Sequence, residues 1–249
     1  LLRLTTSLSL HPIYLNIQMY FKGYAQYVFM IRFFHSLKDF EKAITAAKIK
    51  KDIDSVLKLD LPFYDYSDKN PILFFPVYME SGKCLIVLPK KDVLVYSPFE
   101  FNSYEKTHKD ALKKSYGEST VITFLMLKNV LKNYSEQFQK IRNQMNELDL
   151  KPILDEVELS GRELRRLTDK LESLIELLIV LKQRETRQFN VDLISFDYEV
   201  LTTEARYWLE RCRSHIYRIA SLRTKSEMQS NRELNDTMHK LTIIIRFLT

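Results

Sequence analysis

The sequence predicts an α/β (α+β) protein: a mixed β-sheet with flanking helices, then long antiparallel helices and a very long C-terminal helix. Two observations predict it. Short aromatic and β-branched runs, cut by Gly and Pro, fill much of the first half, as strands and their turns do. From Arg162 to Thr249 there is neither Gly nor Pro, the two residues that most strongly interrupt helix interiors. The pattern divides the chain into three: residues 1–117 as a mixed α/β domain, 118–190 as long helices packing on it and on the last helix, and 191–249 as that last helix.

Taken in order, Tyr14–Tyr20 and Tyr24–Phe34 predict two strands, with Gly23 in the turn between them. Ser36 followed by Asp39 has the pattern of a helix N-terminus, and the amphipathic run continues to about Leu57. Leu59–Asn70, with Pro62 and several polar residues, predicts a loop. Ile72–Glu80, Lys83–Leu88 and Asp92–Tyr96 predict three strands of an antiparallel meander. Ser81-Gly82 and Pro89-Lys90-Lys91 supply the turns between them. Ser103–Lys114 predicts a helix closed by Gly117. Thr120–Leu148 predicts another, with Ile122, Leu125, Met126, Asn129, Val130 and Phe138 at helical spacing, and Lys151-Pro152 breaks it.

The next helix runs from Glu156 or Arg162 to Arg187. Its Leu164, Leu167, Leu171, Leu174, Leu178 and Leu181 step alternately by three and four, the seam of a coiled-coil-like pair. Gln188-Phe189-Asn190 is the expected hairpin. The last helix begins near Val191 and could reach about 80–90 Å at 1.5 Å per residue. It carries its own stripe of Leu201, Ala205, Trp208, Cys212, His215, Ile219 and Leu222, which predicts packing against the leucine helix.

Composition narrows the function classes. The chain is 45% hydrophobic and 28% charged, with only 4 glycines, which excludes a disordered or collagen-like chain. The net charge of +6 is compatible with anionic partners. The C-terminal arginines, however, are interspersed with Glu204, Glu210, Glu227 and Glu233, so no continuous basic face marks a nucleic-acid partner. Two distant cysteines, Cys84 and Cys212, fit a reducing compartment without a disulfide framework. Leu1–Leu10 is apolar but lacks the features of a signal peptide, and no apolar run reaches the length of a complete membrane span. His11, His35, His108, His215 and His239 stand at no metal-ligand spacing, so no metal ligands are assigned. No phosphate-cradling glycine loop or nucleophile elbow occurs. No catalytic residue is assigned and an enzyme is not expected. His215 is expected as a surface or seam histidine, and the Asn133-Tyr134-Ser135 triplet as a chance match on a helix.

The end of the chain changes character. After Leu222 the stripe turns polar at Ser226, Gln229, Glu233 and Asp236, and Leu241–Thr249 is then mainly apolar. Arg206, Arg211, Arg213, Arg218, Arg223, Lys225, Arg232 and Lys240 lead up to it. That is the pattern of a helix approaching a membrane from the cytoplasmic side.

The run from Ser230 to Ile244 resembles the junction between stalk and first membrane helix in CorA-type magnesium and divalent-cation transporters. There it reads roughly Asn-Glu-Val-Met-Lys-x-Leu-Thr-Ile-Ile. Asn235, Met238, Leu241, Thr242, Ile243 and Ile244 match in order and spacing. The layout of a mixed α/β domain followed by two long helices and a stalk is also similar. The resemblance implies a homopentamer in the cell membrane with this portion on the cytoplasmic side. It implies Mg2+ as the transported or regulatory ion, and Asn235, Met238 and Leu241 lining the pore. In a ring, Asn235 would offer amide oxygens to a hydrated cation, and Met238 and Leu241 an apolar constriction. By the same resemblance the membrane helix and its Gly-Met-Asn signature continue past Thr249. Arg246 stands where that pattern has an apolar residue, and Thr224 stands near an acidic regulatory position of some members. The alternative is a soluble helical scaffold or oligomerisation protein without transport activity.

Overall fold

The structure, a computed structural model, describes residues 30–49, 52–59, 61–67, 70–76, 83–89, 92–97, 118–150, 152–184 and 189–248. The strand expected at Tyr14–Tyr20, the first part of Tyr24–Phe34 and the helix expected at Ser103–Lys114 lie outside them. Five strands form one sheet: β1 (Met30–Phe34), β2 (Phe63–Ser67), β3 (Asn70–Pro76), β4 (Lys83–Val87) and β5 (Asp92–Tyr96). Helices α1 (Leu37–Ala46) and α2 (Ile53–Leu57) follow β1, and the long helices are α3 (Glu118–Leu150), α4 (Leu154–Gln183) and α5 (Ser195–Leu248). The fold class is α/β, as the residue pattern predicts.

The sheet order is β1-β5-β4-β3-β2. From β3 to β5 it is the expected antiparallel meander, β2 extends it antiparallel to β3, and β1 pairs parallel with β5, which makes the sheet mixed. The strand β2 corrects the loop expected across Leu59–Asn70. Pro62 stops one residue short of it, and β2 is an edge strand, so its backbone needs a partner on one side only. The partner is β3, where Phe63 faces Phe74 with ring centroids 5.6 Å apart.

Helices α1 and α2 correct the single helix expected from Ser36 to Leu57. Ser36 does hold the N-cap position of α1, with extended backbone, but its side chain makes no capping hydrogen bond. Asp52 caps α2 by accepting from the Ser55 backbone N–H at 3.2 Å. Phe40, Ile44, Ile49, Ile53 and Val56 from these helices pack with Phe34, Ile72, Phe74, Leu85, Val87 and Leu94 of one sheet face. Each fully buried side chain of this size contributes about 1.5–3 kcal/mol. On the other face Leu73, Cys84, Ile86, Val93 and Val95 are also buried. An antiparallel sheet often leaves one face to solvent; this mixed sheet buries residues on both, and the Arg184 guanidinium beyond the end of α4 lies 5.5 Å from the ring centre of Tyr64.

The chain separates into two compact units. The first holds the sheet, α1, α2, the described chain up to Val130 and Glu176–Glu199; the second holds Leu131–Ile175 and Val200–Thr249. In the first, Asn190 caps the 3-10 turn Val191–Ile194, its backbone N–H donates to Thr120 Oγ1 at 3.0 Å, and Tyr198 donates its hydroxyl to the Leu178 carbonyl at 2.7 Å. The second unit is three helical segments. Contacts of α4 with α5 pair Glu158 with Arg223, Gly161 with Ile219 and Glu172 with Arg213, in descending order, so the two run antiparallel. Phe138 and Asp149 of α3 meet His215 and Arg218 of α5 in ascending order, so those two run parallel.

Candidate functional site

Helix α5 is 54 residues long, about 80 Å. Nothing in its sequence interrupts it, and its two parts differ in what they touch. From Val200 to Ser226 it is an ordinary amphipathic helix of the second unit. Leu201, Ala205, Leu209, Cys212, His215 and Leu222 are buried, and Ser226 donates to the Pro152 carbonyl at 3.3 Å. Phe138 packs against both Trp208 and His215, with ring centroids 5.6 and 5.0 Å away. On its flanks Arg213 pairs with Glu172 at 2.8 Å, and Arg218 pairs with Asp149.

His215 is the seam histidine that the spacing predicts. Burial holds its pKa below the ordinary value, and the positive charges of Arg211, Arg218 and Arg142 act in the same direction, against its bond to the Arg211 carbonyl. The ring is therefore neutral at pH 7. Cys212, one turn earlier, is buried with its thiol pushed up to about 12, which leaves no reactive thiolate. Among the described residues no three His, Cys, Asp or Glu side chains are gathered closely enough to hold a metal ion.

From Glu227 to Leu248 every residue is exposed. This part holds all three residues expected to line a pore. Asn235, Met238 and Leu241 share one side of α5, spread over about a third of its circumference and about 9 Å of its length. Met238 is 57% and Leu241 49% exposed, so neither belongs to the core of the chain. The helix carries its own polar groups here. Thr237 and Thr242 donate to the Glu233 and Met238 carbonyls at 2.8 and 2.9 Å, which consumes hydroxyls that would otherwise need water. Below this segment an open groove is lined by Ser221, Thr224, Lys225, Met228, Gln229 and Arg232, a set without a carboxylate. Beyond it, Ile243, Ile244, Ile245, Phe247 and Leu248 are all exposed. No described helix is long and apolar enough to cross a membrane.

The helix thus packs along its earlier part and is exposed from Glu227 to Leu248. Solved structures share the fold. The cytoplasmic domain of ZntB from Vibrio parahaemolyticus matches with a TM-score of 0.63 and 9% identity, over 82% of this chain and 88% of that one. The complete CorA magnesium transporter from Methanocaldococcus jannaschii matches at 0.65 and 14%, over 92% and 78%. Full-length CmaX matches at 0.67 and 12%, over 87% and 72%. No protein-family model and no curated protein matches the sequence. The chain has the fold of CorA-type transporter cytoplasmic domains.

Proposed function

We propose that the chain is the cytoplasmic portion of a CorA-like divalent-cation transporter, with Mg2+ as the ion carried. In this reading α5 is the stalk. Five copies meet around an axis at the cell membrane, and Asn235, Met238 and Leu241 line the cytoplasmic mouth of the pore. The observation that carries the reading is the bare end of α5: an unbroken helix, exposed from Glu227 and closing in apolar residues, on a chain with the CorA-type fold. Exposed isoleucines and phenylalanine at a helix end are costly in water unless lipid or other copies cover them. The basic residues before them fit the cytoplasmic side.

The division of labour follows from chemistry. Hydrated Mg2+ releases water reluctantly, so an amide oxygen that accepts hydrogen bonds from its water shell suits it better than a direct ligand. Asn235 supplies that oxygen. Met238 and Leu241 supply a narrow apolar wall, which closes by excluding water. No reaction is assigned to any side chain.

Mg2+ flux into liposomes carrying the full-length protein tests this. Asn235→Leu is expected to lower flux about tenfold, and Leu241→Gly to raise leak several-fold as the constriction hydrates. If both variants transport like the parent, the segment lines no path; a parent that carries no Mg2+ flux at all would make a helical scaffold without transport the better description.

A further inference from the structure

Asn235, His239, Thr242 and Arg246 follow one another along α5 by four, three and four residues. At 3.6 residues per turn, eleven residues return to within about 20° of the starting direction. Arg246 therefore shares the face of Asn235 and lies about 16 Å further along the axis. The helix is unbroken to Leu248 and exposed throughout this stretch, so no kink or local packing alters that phase. The same side also carries Arg232. The nearest carboxylates point elsewhere, Asp236 about 100° and Glu233 about 160° away from Asn235. No Asp or Glu occurs between Thr237 and Thr249. The face is neutral and cationic, with no negative group along it.

We infer that Arg246 sets the rate and ion preference of the pore, by presenting a ring of guanidinium charges that holds down the flux of divalent cations. This rests on the pore reading above. A guanidinium does not deprotonate, so its charge cannot be shed. Rings of Arg or Lys favour anions, and a divalent cation meets twice the repulsion that a monovalent one does. Helix phase ties Arg246 to Asn235. Arg246 lies about 20° from Asn235, about 80° from Met238 and about 140° from Leu241, so it stands at the Asn235 edge of the lining, and a pore that Asn235 faces is faced by Arg246 too.

The test compares Mg2+ influx into liposomes for the full-length parent, Arg246→Gln, Arg246→Lys and Asn235→Leu. Arg246→Gln is expected to raise influx about tenfold or more, and Arg246→Lys to stay near the parent, because charge and not shape is the barrier. Inert monovalent salt should raise parental influx and leave Arg246→Gln unaffected, since screening shortens from about 10 Å at 0.1 M to about 3 Å at 1 M. Parental influx from Arg246→Gln alongside a loss in Asn235→Leu would overturn the role of Arg246 and leave the pore reading standing. No change in any variant would overturn both. A parent that passes chloride in reversal-potential measurements and excludes Mg2+ would support the charged ring and overturn the cation reading.

Discussion

Lys48 shows how one residue redirects the chain without a sequence signal. Its φ is 57°, in the left-handed region where a Cβ is unfavourable by about 1–2 kcal/mol. It ends α1 in a Schellman arrangement: Ile49 donates to the Ile44 carbonyl at 3.2 Å and Lys48 to the Thr45 carbonyl at 2.9 Å. Glycine usually fills this position, and its absence is why the sequence reads as one helix through to Leu57. Buried Ile49 anchors the turn in the core, which offsets the strain. Lys48→Gly should stabilise the protein by about 0.5–1 kcal/mol, the relief of strain exceeding the entropy that glycine adds to the unfolded chain. Urea unfolding measures it, and a midpoint below the parent's would contradict the strain argument. Gly161 is the opposite case. It sits inside α4 with ordinary helical backbone, and a Cβ there would come within 3.0 Å of Ile219 Cγ2, so glycine here serves close packing of helices and does not break one.

Among the elements, the leucine helix was the most legible and β2 the least. Leu164, Leu167, Leu171, Leu174, Leu178 and Leu181 are all buried, because a three-four spacing leaves a helix only one way to hide its apolar side. Most of the stripe on α5 is likewise buried as far as Leu222, although Leu209 carries more of the burial than Trp208, and Trp208 and Ile219 keep partial exposure. Within the second unit Leu171 is fully buried on α4. Leu171→Asp should lower stability by about 3–5 kcal/mol, since the carboxylate would have to be buried without a partner or force the helices apart. Chemical denaturation of that variant would refute the packed seam if its midpoint equalled the parent's. The ion pair of Arg213 with Glu172 at the seam's edge is exposed and contributes much less. Strand β2 lacks a comparable signature: Asp65 and Ser67 are ordinary loop residues, and only pairing with β3 makes them strand.

For the whole molecule, the distribution of burial separates the part that holds the fold from a part that does not. No residue from Glu227 to Leu248 is buried, and the last buried group on α5 is Ser226. Removing residues 227–249 should therefore leave the thermal midpoint of the remaining protein within about 2 °C of the parent's, while lowering self-association, because the exposed Ile243, Ile244, Ile245, Phe247 and Leu248 go with it. Scanning calorimetry and light scattering measure the two effects. A large fall in midpoint would mean that the exposed segment supports the folded units, contrary to the burial pattern. At identities of 9 to 14% the likeness to ZntB, CorA and CmaX is one of fold.

The sequence by itself determined the fold class, the two long helical seams and the side of α5 on which Asn235, Met238 and Leu241 stand. All of these follow from periodicity and from the absence of Gly and Pro, which are local properties of the chain. The parallel pairing of β1 with β5, the strand character of β2 and the break at Lys48 needed the tertiary structure. Each depends on a partner distant in sequence: β5 for β1, β3 for β2, and the sheet face that buries Ile49 beside Lys48. The end of burial at Ser226 was decided there too, because the stripe of α5 turns polar gradually, and only the reach of the neighbouring helices defines where its cover stops.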